Sequence, residues 1–379
     1  MEKLIDAVRV LSVEIGPRGS ASEAERRAAE YAAERLRRAG FEVKIEPFRG
    51  LTTFSLPYGL IYSGFVLAAP LYLLSPAASF ALALLSLAAF LTEIHALPTL
   101  SRILPKGRSQ NVVGIRRPKG EVKRQVVISA HLDSSKAALL WHPRMVAGFR
   151  RSFLTMVGAM SAIVLLGLVG LFLPLGRVWW AQLACSLYLS ASVILLVHRE
   201  LFMEHTPGAN DNASGVAVLL AAAEELSDLQ TTELWAVATG CEESGLCGML
   251  AFMDAHRFDR ENTYFINLDN CGAGRAAYIT AEGVLLRYPS DAELLRLASQ
   301  VVAEEGLDVE PRPYHTLTTD ALVPLTRGHK AMGVMAFDER GVLPNWHWPT
   351  DTAENVEQTA MDNALRLVVD VVRKLDSHR

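Results

Sequence analysis

Four long apolar runs limit what this chain can fold into more than any other feature of it. They are residues 57–74 (PYGLIYSGFVLAAPLYLL), 77–97 (AASFALALLSLAAFLTEIHAL), 153–175 (FLTMVGAMSAIVLLGLVGLFLPL) and 178–197 (VWWAQLACSLYLSASVILLV). A bilayer's hydrocarbon core takes roughly 20 helical residues to cross, and each run is about that long. A helix packed inside a soluble protein normally keeps a polar stripe, and these runs have none. They are therefore expected to be membrane spans. Ser75-Pro76 joins the first two and Gly176-Arg177 the second two, so they read as two hairpins.

The remaining sequence alternates short β-rich runs with helical ones. FEVKIEPF, NVVGIR, RQVVISA, ELWAVATG, TYFINLD and KAMGVMAF read as strands. DNASGVAVLLAAAEELSDL, residues 291–305 and residues 355–375 read as helices. This alternation predicts an α/β fold, a mixed and mainly parallel sheet flanked by helices. Residues 1–53, 98–152 and 198–379 are expected to form one domain. Residues 54–97 and 153–197 are expected to be hairpins inserted into it. Near the N-terminus, Ser22 and Glu25 form an S-x-x-E capping box ahead of a helix that ends at Gly40. The first residues carry charges throughout and lack the apolar stretch of a secretory leader. Net charge is −4, which implies no nucleic-acid footprint. The four cysteines show no metal or disulfide spacing and suit a reducing compartment.

One short stretch carries the chemistry. LWAVATGCEESGLCG ends an apolar strand at two adjacent carboxylates, Glu242 and Glu243. Either both face water or something positive lies opposite them. Other strands end in the same manner. VVISAHLDSS stops at His131 and Asp133, and YFINLDNCG at Asp269. GANDNASG places Asp211 before a helix, and NWHWPTDTAENV carries His347 and Asp351. Each residue has an ordinary alternative as a surface histidine, a helix cap or a turn. In open α/β sheets, however, ligands bind outside the carboxyl ends of the strands, so these segments should converge. Two imidazoles and several carboxylates form a donor set suited to zinc.

The ordered set H-L-D, G-A-N-D-N-A-S-G, E-E-S-G, N-L-D and H-W-P-T-D-T resembles the di-zinc aminopeptidases of metallopeptidase family twenty-eight, clan MH. The resemblance runs from about Val8 to the C-terminus, apart from the hairpins. It implies two Zn²⁺ ions and a peptide substrate cut at its N-terminus. It further implies that His131 and Asp269 hold one zinc, Glu243 and His347 the other, and Asp211 both. Asp133 would support His131, and Glu242 would stay off the metal as general base. A cis peptide is implied at Asp211–Asn212. Family aminopeptidases often carry Tyr where this chain has Trp346. Trp346 and Tyr314, together with Trp348 and Phe337, are candidate substrate contacts.

Two other functions compete: a glutaminyl-cyclase-like acyl transfer using one zinc, and a catalytically silent membrane protein. The chain is expected in the cell membrane with four spans. Arg102, Lys106, Arg108, Arg144, Arg150, Arg151 and Arg199 flank the spans on the domain side, and only Arg177 lies at a tip. The positive-inside rule then puts the catalytic domain in the cytoplasm.

Overall fold

The computed structural model describes residues 3–173 and 176–377. The chain divides into an α/β unit (Met1–Thr52, Lys106–Ala137, His205–Arg379) and a helical unit (Thr53–Pro105, Ala138–Glu204).

The α/β unit opens with helices α1 (Leu4–Arg9) and α2 (Glu23–Arg38), then strand β1 (Glu42–Gly50). Ser22 caps α2 by accepting the Glu25 N–H at 3.2 Å. The reciprocal half of the expected capping box is absent. The Glu25 carboxylate accepts instead from Ala21 N, Ser109 Oγ and Cys241 N. Strands β2 (Gly107–Arg116) and β3 (Arg124–His131) come next.

The helical unit supplies α3 (Ser55–Leu74), α4 (Pro76–Ile94), α5 (Phe149–Phe172) and α6 (Gly176–Phe202). By length and apolar composition these four helices can each cross a membrane. The last two residues of the third apolar run, Pro174 and Leu175, lie outside the described residues. Pro70 interrupts α3 and leaves the Val66 carbonyl without its helical donor. Neighbouring helices bond the surrounding carbonyls: Ser186 Oγ to Phe65, Ser79 Oγ to Ala68 and Trp179 Nε1 to Ala69, at 3.1, 2.7 and 3.0 Å. Large apolar side chains remain exposed on this unit, with Leu74 at 85 %, Phe172 at 77 % and Leu85 at 69 %.

The α/β unit resumes with α7 (Gly215–Glu225), β4 (Thr232–Thr239), α8 (Cys247–Ala255), β5 (Thr263–Leu268), β6 (Arg275–Glu282) and β7 (Tyr288–Pro289). It closes with α9 (Ala292–Glu305), β8 (Val309–Tyr314), α10 (Leu322–Thr326), β9 (Lys330–Phe337) and α11 (Gln358–Ser377). The sheet order is β1-β2-β4-β3-β5-β9-β6-β7, with β8 paired to β6. The centre, β4-β3-β5-β9, is parallel, and β2, β6 and β7 pair antiparallel. Both faces of the parallel centre are covered, which is why its strands read as unbroken apolar runs. On one face, alternate residues Val126, Ile128 and Ala130 of β3 belong to the same apolar core as the buried sides of α7 and α11. The end of β3, the loops after β4, β5 and β9 and the turn before α7 carry the candidate metal ligands.

Candidate metal centre

His131 is the last residue of β3, and Asp133 follows two residues later. Glu242 and Glu243 lie in the turn after β4, and Asp269 directly after β5. Asp211 lies in the turn before α7, and His347 in the loop between β9 and α11. The fold brings all of these residues together. His131, Asp211 and Asp269 form one group of donors, and Asp211, Glu243 and His347 form another. Within each group the donor atoms lie within 4.8 Å of one another, so each could hold a metal ion.

Asp211 joins the two groups. Its Oδ1 is 3.2 Å from His131 Nε2, and its Oδ2 is 3.0 Å from His347 Nε2. Asp269 Oδ1 lies 3.7 Å from His131 Nε2, and Glu243 Oε2 lies 3.1 Å from His347 Nε2. Glu242 Oε2 stands a little farther off, 3.9 Å from His131 Nε2. The Asp211–Asn212 peptide is cis.

The supporting contacts are specific. His131 Nδ1 donates to the main-chain carbonyl of Asp133 at 3.0 Å, which aims Nε2 at the centre. The Asp133 carboxylate is 3.5 Å from the imidazole and makes its short contacts elsewhere. It accepts Ser20 Oγ–H at 2.6 Å, Glu242 N–H at 3.0 Å and Glu243 N–H at 3.1 Å. Asp133 thus holds the glutamate turn as well as the histidine strand end. Asp351 accepts the main-chain N–H groups of Asn210 and Asp211, so it fixes the Asp211 turn and is not a donor to the centre. Asn212 Nδ2 donates to Leu268 O, tying that turn to the end of β5.

Five non-glycine residues in these loops adopt positive φ, among them Cys241, Asn270 and His347 at 52°, 50° and 50°. Left-handed backbone at such residues is strained, and it persists where the surroundings over-determine it. Trp346 is buried, with its ring 4.7 Å from that of His347. Tyr314 is buried 6.2 Å from the Phe337 ring. Burial, and then the carboxylates of Asp269, Glu282, Asp211 and Glu242, hold its phenol pKa well above the ordinary value.

The electrostatics of the centre call for positive charge. Burial raises the Glu242 carboxyl well above its ordinary range, and burial raises Glu243 as well. Burial would lower both imidazoles, but Glu242 foremost holds His131 well above its usual value, and Glu243 foremost holds His347 at about 9. The Glu243 Oε1 atom is buried without a hydrogen-bond partner. An orphaned carboxylate oxygen, in a set of imidazole nitrogens and carboxylate oxygens, fits a divalent cation such as zinc. Sequence patterns gave no sign of Ser20 and read Glu25 only as part of a helix cap; both reach the site from the N-terminal segment.

A twisted α/β sheet with paired imidazole and carboxylate donors at its strand ends is the arrangement of a metal-dependent hydrolase. More particularly, residues 191–372 match the profile of Peptidase family M28. The fold resembles a zinc aminopeptidase from Bacillus subtilis, with TM-score 0.59 and 17 % identity over 99 % of this chain and 94 % of that one. It also resembles an aminopeptidase from Aneurinibacillus sp. strain AM-1, with TM-score 0.57 and 16 % identity over 98 % and 92 %. A glutaminyl cyclase from Porphyromonas gingivalis gives TM-score 0.54 and 15 % identity over 98 % of both chains. No curated protein sequence matches the chain. The family match and these folds support a zinc-dependent metallopeptidase.

Proposed function

We propose that the chain is a membrane-embedded exopeptidase that holds two zinc ions and removes residues from the N-terminus of peptides. The observation that carries this reading is Asp211, whose two oxygens face two histidines 3.2 and 3.0 Å away in separate donor groups. His131, Asp211 and Asp269 would hold one ion, and Asp211, Glu243 and His347 the other. When bound, zinc supplies Lewis acidity, which polarises a scissile carbonyl and lowers the pKa of water.

The chain's own residues do the rest. Glu242 is 8 % exposed, with its carboxyl pKa raised by burial, and it is the carboxylate that stands off both donor groups as proton acceptor. It takes the proton of the attacking water at a carboxylate oxygen and delivers it to the leaving amine. Asp133 holds the Glu242 and Glu243 main-chain N–H groups, so acceptor and ligand keep a fixed spacing. Asp351 holds the Asp211 turn by its N–H groups. Tyr314 and Trp346 border the centre as substrate contacts.

The exposed apolar side chains of α3–α6 and the bonding around Pro70 support four membrane spans. Basic residues on the α/β side of those spans support a cytoplasmic catalytic unit. A second reading is acyl transfer with a single metal ion, favoured by the likeness to a glutaminyl-cyclase fold. The deciding experiment is metal analysis of the purified full chain, with a panel of free and N-acetylated peptides. Two zinc ions per chain and release of free N-terminal residues support the exopeptidase. One ion with cyclisation of N-terminal glutamine supports the alternative, and absence of both activities defeats the two readings together.

A further inference from the structure

The segment ahead of α2 lies outside the region that matches the family profile, yet it reaches the loops of the metal centre. Arg18 is 1 % exposed. Among the described residues, every hydrogen bond of its guanidinium goes to a main-chain carbonyl. Nε donates to Leu132 O at 2.8 Å, and Nη1 to Leu11, Gly16 and Pro207 O at 2.8, 3.1 and 2.8 Å. Nη2 donates to Gly208 O at 2.7 Å. Leu132 stands between His131 and Asp133, and Pro207 and Gly208 lead into Asp211. One side chain therefore spans two loops that carry candidate ligands.

The main chain repeats the link. Arg18 N donates to Ser134 Oγ at 3.0 Å, Ser134 N to Arg18 O at 2.9 Å, and Ser134 Oγ to Thr206 O at 2.9 Å. Gly208 has φ +66°, and a Cβ there would come within 2.5 Å of Ser134 Cβ and 2.8 Å of Arg18 Nη2. Only glycine lets the Asp211 loop close onto the guanidinium. The arrangement is costly, because burial pulls the Arg18 pKa down to about 10, against the opposing pull of Asp351, Asp133 and Asp211. A planar guanidinium can reach carbonyls on three separate segments from its three nitrogens. A lysine, with three donors on one atom, cannot.

We infer that Arg18 is a positioning residue of the metal centre, fixing the separation of His131 and Asp211 by holding the carbonyls of their two loops. This rests on the reading that those residues hold metal ions. The test uses the full chain in detergent, stripped of metal and titrated with Co²⁺, whose visible spectrum reports coordination geometry. Arg18→Lys keeps the charge and loses the fork. The expected result is a normal circular dichroism spectrum, an altered cobalt spectrum, and 10- to 100-fold weaker Co²⁺ binding in competition with a chelator, the usual range for lost outer partners of ligands. Arg18→Gln, which removes the buried charge, is the second variant should lysine unfold the chain. A wild-type spectrum and affinity in a folded variant overturns the inference. So does failure of both variants to fold, which would make the guanidinium a requirement of the fold. Wild-type protein that takes up fewer than two Co²⁺ would instead count against the two-ion reading.

Discussion

Replacing Asp133 by Asn tests whether this residue serves the glutamate turn as well as His131. Asp133 is fully buried, and its two oxygens accept from Glu242 N–H on one side and from Glu243 N–H and Ser20 Oγ on the other. An asparagine has one acceptor oxygen. Whichever way its amide turns, its NH₂ faces one of the two main-chain N–H groups. One charge-assisted hydrogen bond is lost, at about 1.5–3 kcal/mol. If that loss falls on the geometry of Glu243, it weakens the ion held by Glu243 and His347 roughly 10- to 100-fold, at 1.4 kcal/mol per factor of ten. The assay is a two-step Co²⁺ titration of the full chain with chelator competition. Glu243→Ala identifies which step belongs to that ion. Circular dichroism confirms that Asp133→Asn is folded. Wild-type affinity in both steps refutes the reasoning. Weakening confined to the step of His131 and Asp269 would mean that Asp133 acts through the histidine alone.

Glu242→Gln should keep both metal ions and lose nearly all kcat; near-normal turnover would remove Glu242 from the role of base. Glu282, raised to about 8 by burial, holds a proton in the folded chain that an unfolded carboxyl releases near pH 4.3. Its stabilising contribution is therefore complete below about pH 4.3 and is lost as pH rises to about 8. Glu282→Gln can still accept Thr319 N–H and meet Thr319 Oγ1, the present partners. Thermal melts from pH 5 to 8 should accordingly fall less steeply for the variant than for wild type, and parallel curves would contradict the assignment. Membrane-impermeant thiol reagents applied outside intact cells should label a cysteine placed at Gly176 and spare one placed at Ser377. The opposite pattern would reverse the orientation.

His131, Glu243 and Asp269 were legible because they lie at or just past the ends of strands of the parallel centre. Those strands are apolar on both faces, so a carboxylate or histidine at their ends stands out from the run before it. Strands β6 to β8 were not legible. RAAYITAE carries charge at both ends and pairs antiparallel at the margin of the parallel centre, and VEPRPY mixes charge and proline with apolar residues. The helix read as starting at Asp211 begins at Gly215, because residues 210–212 give their polar groups to loops and leave the first helical turn to those beyond. Arg18 and Ser20 were invisible for a different reason. Arg18 bonds main-chain carbonyls 114 and 190 residues away, and Ser20 bonds a carboxylate 113 residues away. No local pattern records such contacts. Glu25 matched a cap signal, and only the fold shows its carboxylate spent on Cys241 N and Ser109 Oγ.

The strand order has a consequence for how the molecule is made. In the sheet, β3 lies between β4 and β5, and β2 reaches it only through β4. Both β4 and β5 are encoded after α6. Of the five candidate donors, His131 alone is synthesised before the second hairpin. Until the last apolar segment has left the ribosome, β3 has no neighbouring strand to pair with and His131 has no companion donor. The nascent chain thus emits all four apolar segments before a proteolytic centre can exist. A peptidase built in this order is inactive until its four apolar helices have been made, whatever its substrate.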